Sequence, residues 1–290
     1  MFHKTINLIY LVLVTFVCVG GLQAQVENMN VTESGQPTNK KSPRDDVYDR
    51  KQMTERKILE YDFLDEKDVM WEKRIWRLID FREKRNQHFK YKVAGKSFIE
   101  ILLKGLNQGK LLAYKEQDFA YEFTNEEIQK KLNSVDTIEV FDYDNNTYET
   151  KIIPKEFDPN NAKQLRIKEV WFFDEEASDL DVRILGLAPI VDNTDRNGNV
   201  VSTGPLFWFY YPDMREFLAV NASFNEGSDV DMFSWEDVFE NRLFSSYIIQ
   251  DSNVYDRRIQ DYKTVPLDAL FEAEKIKDGI FHMEHDVWDY

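Results

Sequence analysis

The chain has 290 residues, 42% of them apolar and 14% aromatic, with a formal net charge of −16. That is enough apolar material for one large or two small cores, and the acidic surface disfavours nucleic acid and anionic lipid headgroups while remaining compatible with a basic protein partner. Cys18 is the only cysteine and lies in the N-terminal apolar run, so a chain processed after residue 24 is expected to have no disulfide, thiolate nucleophile or cysteine metal site.

Lys4 precedes an apolar run from Ile6 to Gly21, and Leu22-Gln23-Ala24 ends on a small residue. Residues 1–24 therefore read as a secretory signal peptide rather than a membrane span. Val17 precedes Cys18 where lipid attachment would need a small residue, so plain cleavage before Gln25 is expected. Residues 25–44, with Ser34, Gly35, Pro37 and Pro43, read as a disordered linker. Residues 45–66 form a docking arm, whose apolar side chains are too sparse to fold alone and too numerous for a plain linker. Such an arm can lie on its own domain or reach a neighbouring subunit. The pattern of a segment that orders on binding points to burial against another subunit, with Tyr48, Ile58, Leu59, Tyr61 and Phe63 as its partner contacts.

A first α+β unit spans residues 67–133. It has a strand at Arg74–Ile79, the basic cluster Arg82-Glu83-Lys84-Arg85, and a helix opened by Ser97 with Ile101, Leu102 and Leu106 inward and Gly109 as its stop. Thr124 and Glu127 form a capping box for a short helix carrying Ile128 and Leu132. Residues 134–290 hold an antiparallel sheet and a second α+β unit. Thr137–Phe141 and Tyr148–Ile153 read as a hairpin, Leu165 to Phe173 and Val182–Val191 as further strands, and 192–199 as a turn. The run Phe207-Trp208-Phe209-Tyr210-Tyr211 reads as a buried strand stopped by Pro212, with rings on both faces. One face is expected to meet helices, and the other a second layer or another protein. Ser234 opens a helix with Val238, Phe239 and Leu243 inward, before Ile248-Ile249. Pro266 opens another, with Leu267, Leu270 and Phe271 on one face, Gly279 at its end and an exposed acidic tail beyond. Consecutive strands with short turns make the fold class α+β, with the two units joined by an antiparallel meander. Trp76–Glu83 parallels Trp208–Glu216 and a capped helix follows each, so an internal duplication is expected. The alternative is that any strand before a capped helix looks alike.

Catalytic signals are sparse. Asn193 to Gly198 resembles the start of a calcium loop with Asp195 and Asn197 as ligands, but Gly204 stands where a bidentate Glu belongs, and a turn is the better reading. His282 and His285, with Glu284 and Asp286, would offer zinc ligands on a helix, against the commoner outcome of solvated charge near a terminus. There is no Gly-x-Ser-x-Gly elbow and no glycine-rich phosphate loop. No catalytic residue, cofactor or metal is therefore expected. Carboxylates are abundant enough to keep open a periplasmic carbohydrate-binding or cell-wall-modifying protein that uses the aromatic strand as a sugar platform.

Val69-Met70-Trp71, Trp76-Arg77-Leu78-Ile79-Asp80-Phe81-Arg82-Glu83-Lys84, Ile184-Leu185-Gly186-Leu187-Ala188-Pro189 and Leu206 through Arg215 together resemble the GldN/PorN family of gliding-motility and type IX secretion proteins of the Bacteroidetes. The likeness covers most of the chain after about Asp45 and is strongest in the two tryptophan-containing segments. It implies a non-enzymatic subunit of the secretion machine, in the periplasm at the inner face of the outer membrane. The implied setting is a large ring with a GldK/PorK-like lipoprotein, in contact with a GldM/PorM-like motor protein.

Overall fold

The computed structural model describes residues 55–142, 147–194, 200–227 and 232–288. The leader, the linker and residues 45–54 of the arm, Tyr48 included, lie outside them, as do Asp195 and Asn197.

The central strand β1 (Val69–Asp80) pairs with β4 (Ala162–Asp174) on one side and β8 (Tyr247–Asp251) on the other. Beyond β4 come β5 (Asp179–Thr194) and then β6 (Val200–Pro205), giving the order β6-β5-β4-β1-β8 with antiparallel neighbours. A short strand β7 (Phe209–Tyr210) pairs with β5 at Leu187 and Gly186. Pro189 sits inside β5 where its partner changes from β7 to β6. Its carbonyl accepts from Leu206 on that side, so the missing N–H faces the junction and costs no bond to β4. The expected hairpin is present as a separate two-stranded sheet, β2 (Asn133–Asp142) and β3 (Thr147–Glu156).

The capping signals hold. Ser97 and Glu100 close a capping box on α1 (Phe98–Asn107), and Gly109 takes φ +66° just beyond its end. Thr124 and Glu127 do the same for α2 (Asn125–Leu132), and Ser234 and Asp237 for α4 (Trp235–Glu240). The other helices are α3 (Tyr211–Ala219), α5 (Ile259–Tyr262) and α6 (Pro266–Trp288).

In the sheet, Ile79, Leu165, Ile167 and Leu187 face a core built with Phe98, Leu102, Leu218, Trp235 and Phe239 from the helices. Further along that face Ile75 and Ile248 pack with Ile259, Ala273 and Ile280. The second half of β1 is buried throughout because its other face is covered as well, where Trp76 and Leu78 pack with Tyr114, Ala188, Ile190 and Trp208.

Three expectations are corrected. The aromatic run is a two-residue strand followed directly by a helix, because Pro212 occupies the first helical turn, where its fixed φ is pre-organised and its missing N–H costs nothing. Both faces of the run are covered by the chain itself. Phe207, Phe209 and Tyr211 enter the main core and Trp208 the smaller one, all at 3% exposure or less, which leaves no platform for a sugar or a second protein.

The likeness between Trp76–Glu83 and Trp208–Glu216 therefore stops at the strand. The first stretch belongs to a 12-residue strand and the second enters a helix, and only the capped helices that follow correspond.

The last helix also runs on past Gly279 to Trp288. Gly279 is not among the positive-φ glycines, so it gives no stop signal. The buried stripe of α6 is Ala273 and Ile280 with Ala269 and Ile276 partly covered, while Leu267, Leu270 and Phe271 are 59%, 50% and 66% exposed.

Candidate functional site

The described part of the arm, residues 55–66, is held to its own chain by polar contacts at Arg56, Tyr61 and Asp62. The Tyr61 hydroxyl donates to Glu240 Oε1 at 2.7 Å, and its ring lies 4.1 Å from the Arg215 guanidinium and 5.0 Å from that of Arg183. Arg183 Nη2 donates to the Asp62 carbonyl at 2.8 Å, and Arg56 pairs with Asp237. Beneath Tyr61 the network continues inward. Arg215 Nη2 donates to Glu236 Oε1 at 2.8 Å, and the Tyr211 hydroxyl reaches the same Glu240 oxygen at 2.8 Å. Burial, followed by the bond to Glu240, pushes the Tyr61 phenol above its ordinary value, so it stays a donor at any physiological pH.

The acidic side of this lock comes from one helix. Glu236, Asp237 and Glu240 follow Trp235 in α4, and α4 is placed by the burial of Trp235, Val238 and Phe239. The sequence reading found the helix and missed the lock. Its signal was present as carboxylates on a short capped helix and arginines on β5 and α3, but nothing in the spacing says that Tyr61 meets them.

The structure divides the expected contact residues. Tyr61 is committed to its own chain, Ile58 is half-buried, and Leu59 and Phe63 are 85% and 92% exposed. The arm does not seal the surface below it. A cleft of about 680 Å³ is lined by Arg56, Ile58 and Glu60 from the arm and by Lys110, Asp213 and Phe217 opposite.

A second cleft, of about 660 Å³, lies beside Lys84, His88, Tyr91, Ser223 and Phe233. The His88 ring is tilted against Phe89 with centroids 4.5 Å apart and stacks on Trp235 at 5.8 Å. Its Nδ1 lies 3.0 Å from the Arg85 carbonyl, which makes Nδ1–H the donor and leaves Nε2 sealed without a partner. Burial, joined by the nearby Arg85 charge, lowers its pKa against the raising effect of that backbone bond. With the folded value below the unfolded value of about 6.5, the unfolded chain binds more protons below that pH. The melting temperature should therefore fall as pH is lowered from 7 through 5, and His88→Gln should flatten that part of the profile. A wild-type profile unchanged by the substitution would refute this.

Among the described residues no group of three or more His, Asp or Glu side chains is placed to hold a metal ion. His282 is turned back on its own helix, with Nδ1 2.7 Å from the Asp278 carbonyl, and the side chain of His285 lies outside the described part. No described helix is long and apolar enough to cross a membrane.

A family model described as gliding motility associated protein GldN matches residues 64–289. The chain belongs to the GldN family. Membership makes it a component of gliding motility and type IX secretion. The match spans β1 through α6 and begins just after Phe63, so the pinned segment lies ahead of the region by which the GldN family is recognised. Comparison with curated proteins returns no match.

Proposed function

We propose that this GldN-family chain is a non-enzymatic structural subunit of the secretion machine, working in the periplasm at the inner face of the outer membrane. Its partners in a ring-type assembly would be a GldK/PorK-like lipoprotein and a GldM/PorM-like motor protein. The observation that carries this reading is the form of the arm. Tyr61 is locked to Arg215 and Glu240, while Leu59 and Phe63 on either side of it stand in solvent. A segment fixed at its middle presents two large apolar groups with little ordering entropy left to lose, which is how a preorganised contact gains affinity.

The test uses the mature chain and the lipoprotein partner. Leu59→Ser with Phe63→Ser should leave the melting temperature within a degree or so, since neither side chain is buried, and should weaken co-purification about tenfold or more. Wild-type assembly by this variant would overturn the arm as a contact. Turnover of cell-wall fragments that disappears with one Asp or Glu substitution would overturn the non-enzymatic reading.

A further inference from the structure

This acidic chain carries one basic island. Residues 82–96 hold six basic residues and one acidic residue, Glu83, in a chain of net charge −16. Arg82 and Lys92 are paired with Asp80 and Glu100. Lys84 and Arg85 are exposed, have no ion pair among the described residues, and line the cleft of about 660 Å³ beside His88. The same cleft is lined by Tyr91 and Phe233, which are 51% and 39% exposed, and by Phe224, whose ring centroid lies 4.0 Å from that of Tyr91. Glu226 is the one acidic residue of its described lining. Two unpaired cations beside open aromatic rings suit an aromatic side chain flanked by carboxylates, since the rings supply area and the charges fix orientation.

The chain itself contains such a segment. Residues 282–290 carry Glu284, Asp286 and Asp289 with the aromatic Trp288 and Tyr290, and no Lys or Arg. A chain cannot bring its own tail to its own cleft. Near the end of α6, Phe281 meets Trp171 edge-on at 6.3 Å, and Trp171 is paired with Lys73 in β1. The cleft lies at the opposite end of β1, where Phe81 stacks on Phe89 next to His88. Eight residues of strand separate Lys73 from Phe81, about 26 Å. From Phe281 the helix continues to Trp288, which adds about 10 Å, and two further residues reach at most about 7 Å more.

We infer that the cleft receives residues 284–290 of a second copy of this chain, with Trp288 against Tyr91 and Phe233 and the acidic residues of the tail at Lys84 and Arg85. The contact joins two different surfaces of the molecule, so it is head-to-tail, the kind that closes into rings or runs on as filaments. It rests on the ring-type reading above and names one surface pair for it. The net charge of −16 acts between whole copies, but beyond a Debye length of about 8 Å at physiological salt it is largely screened, whereas the tail meets the island at contact distance.

The probe is a synthetic peptide of residues 280–290, titrated into the mature chain alone. It should bind, with affinity falling as salt rises. Lys84→Gln with Arg85→Gln should weaken it about threefold to tenfold, the worth of two exposed ion pairs, and should leave the melting temperature unchanged because both side chains are exposed. Trp288→Ala in the peptide should weaken it about tenfold or more, which depends on no variant folding. By light scattering the mature chain should self-associate, and a chain ending at Met283 should not, while still binding the peptide as wild type does. No peptide binding, binding indifferent to either pair of changes, a wild-type chain that stays monomeric well above the Kd of the peptide, or self-association that survives loss of the tail would overturn the contact. A response to the cationic pair alone would make the cleft a plain anion site and overturn the tail as its occupant. Neither measurement contains the lipoprotein, so failure here leaves the ring-type reading to its own co-purification test.

Discussion

Glu169→Leu is expected to destabilise the protein by about 3–5 kcal/mol, because it leaves the buried Arg77 and the half-buried Arg242 without their anion. Glu169 is 0% exposed and lies on β4 opposite Ile75 of β1, a member of the cluster that packs against α6. Its Oε1 accepts from Arg77 Nε at 2.5 Å and from Trp171 Nε1 at 2.8 Å, and its Oε2 accepts from Arg242 Nη2 at 2.5 Å. Arg77 is itself only 8% exposed. Arg242 follows α4 at φ +51°, a left-handed conformation that a non-glycine residue holds only under constraint, and the ion pair supplies one.

A double variant, Arg77→Met with Glu169→Leu, should regain much of the loss, since exchanging a buried pair for apolar groups is often near neutral. Burial pushes the Glu169 carboxyl upward, but Arg77 and Arg242 outweigh it and the net shift is downward. The group therefore contributes stability above its unfolded value of about 4.3 and loses it as pH falls through the lower folded value. The acid limb of the wild-type stability curve should be steeper than that of Glu169→Leu. Chemical denaturation measures both effects, and a single variant as stable as wild type would sink the argument.

The triad shows where sequence reading runs out. Elements governed by local signals were legible. Capping boxes at Ser97, Thr124 and Ser234 marked three helix starts, and alternation over 165–173 marked β4, because both depend on near neighbours in the chain. Glu169 falls by parity on the apolar face of that strand, but period two does not say what neutralises a charge there until the partners, Arg77 and Arg242, are known to be adjacent. The aromatic run failed differently. Its strand propensity was real, but Pro212 opened a helix and the rings were absorbed on both sides, so a propensity that favoured a strand lost to tertiary packing. On α6 the large apolar residues Leu267, Leu270 and Phe271 drew the reading, whereas Ala273 and Ile280, with Ala269 and Ile276 beside them, make the contact. In the arm, composition marked an interaction segment but could not separate Tyr61, which the chain keeps, from Leu59 and Phe63, which it leaves free.

Phe89→Ala is expected to cost about 3–5 kcal/mol, the range for emptying a phenylalanine site that cannot collapse. Phe89 ends a short 3₁₀ segment, Lys84–Phe89, where no hydrophobic period points to it, yet it is 1% exposed. Its ring stacks on Phe81 at 5.0 Å and meets Phe98 edge-on at 5.4 Å, with Trp235 at 5.1 Å and Phe239 at 6.0 Å. These rings come from the residue that follows β1, from α1 and from α4, so Phe89 joins elements that are far apart in the chain.

The segment is also anchored at Asn86. Asn86 Nδ2 donates at 2.9 Å to the carbonyls of Asp80 and Ser245, while its Oδ1 accepts from the Ser245 amide at 2.8 Å. That anchoring keeps the turn from sinking into the void left by alanine, so the cavity should persist and the full cost should appear. Phe89→Leu, which loses the ring geometry but leaves most of the site filled, should cost less, because the cost of a large-to-small change grows with the cavity it leaves. Urea denaturation of the three proteins decides the matter through the ordering of their midpoints at constant m. Equal losses for alanine and leucine would mean that ring contacts rather than the filled volume set the cost. No loss for alanine would mean that the 3₁₀ segment does not hold the helices to the sheet.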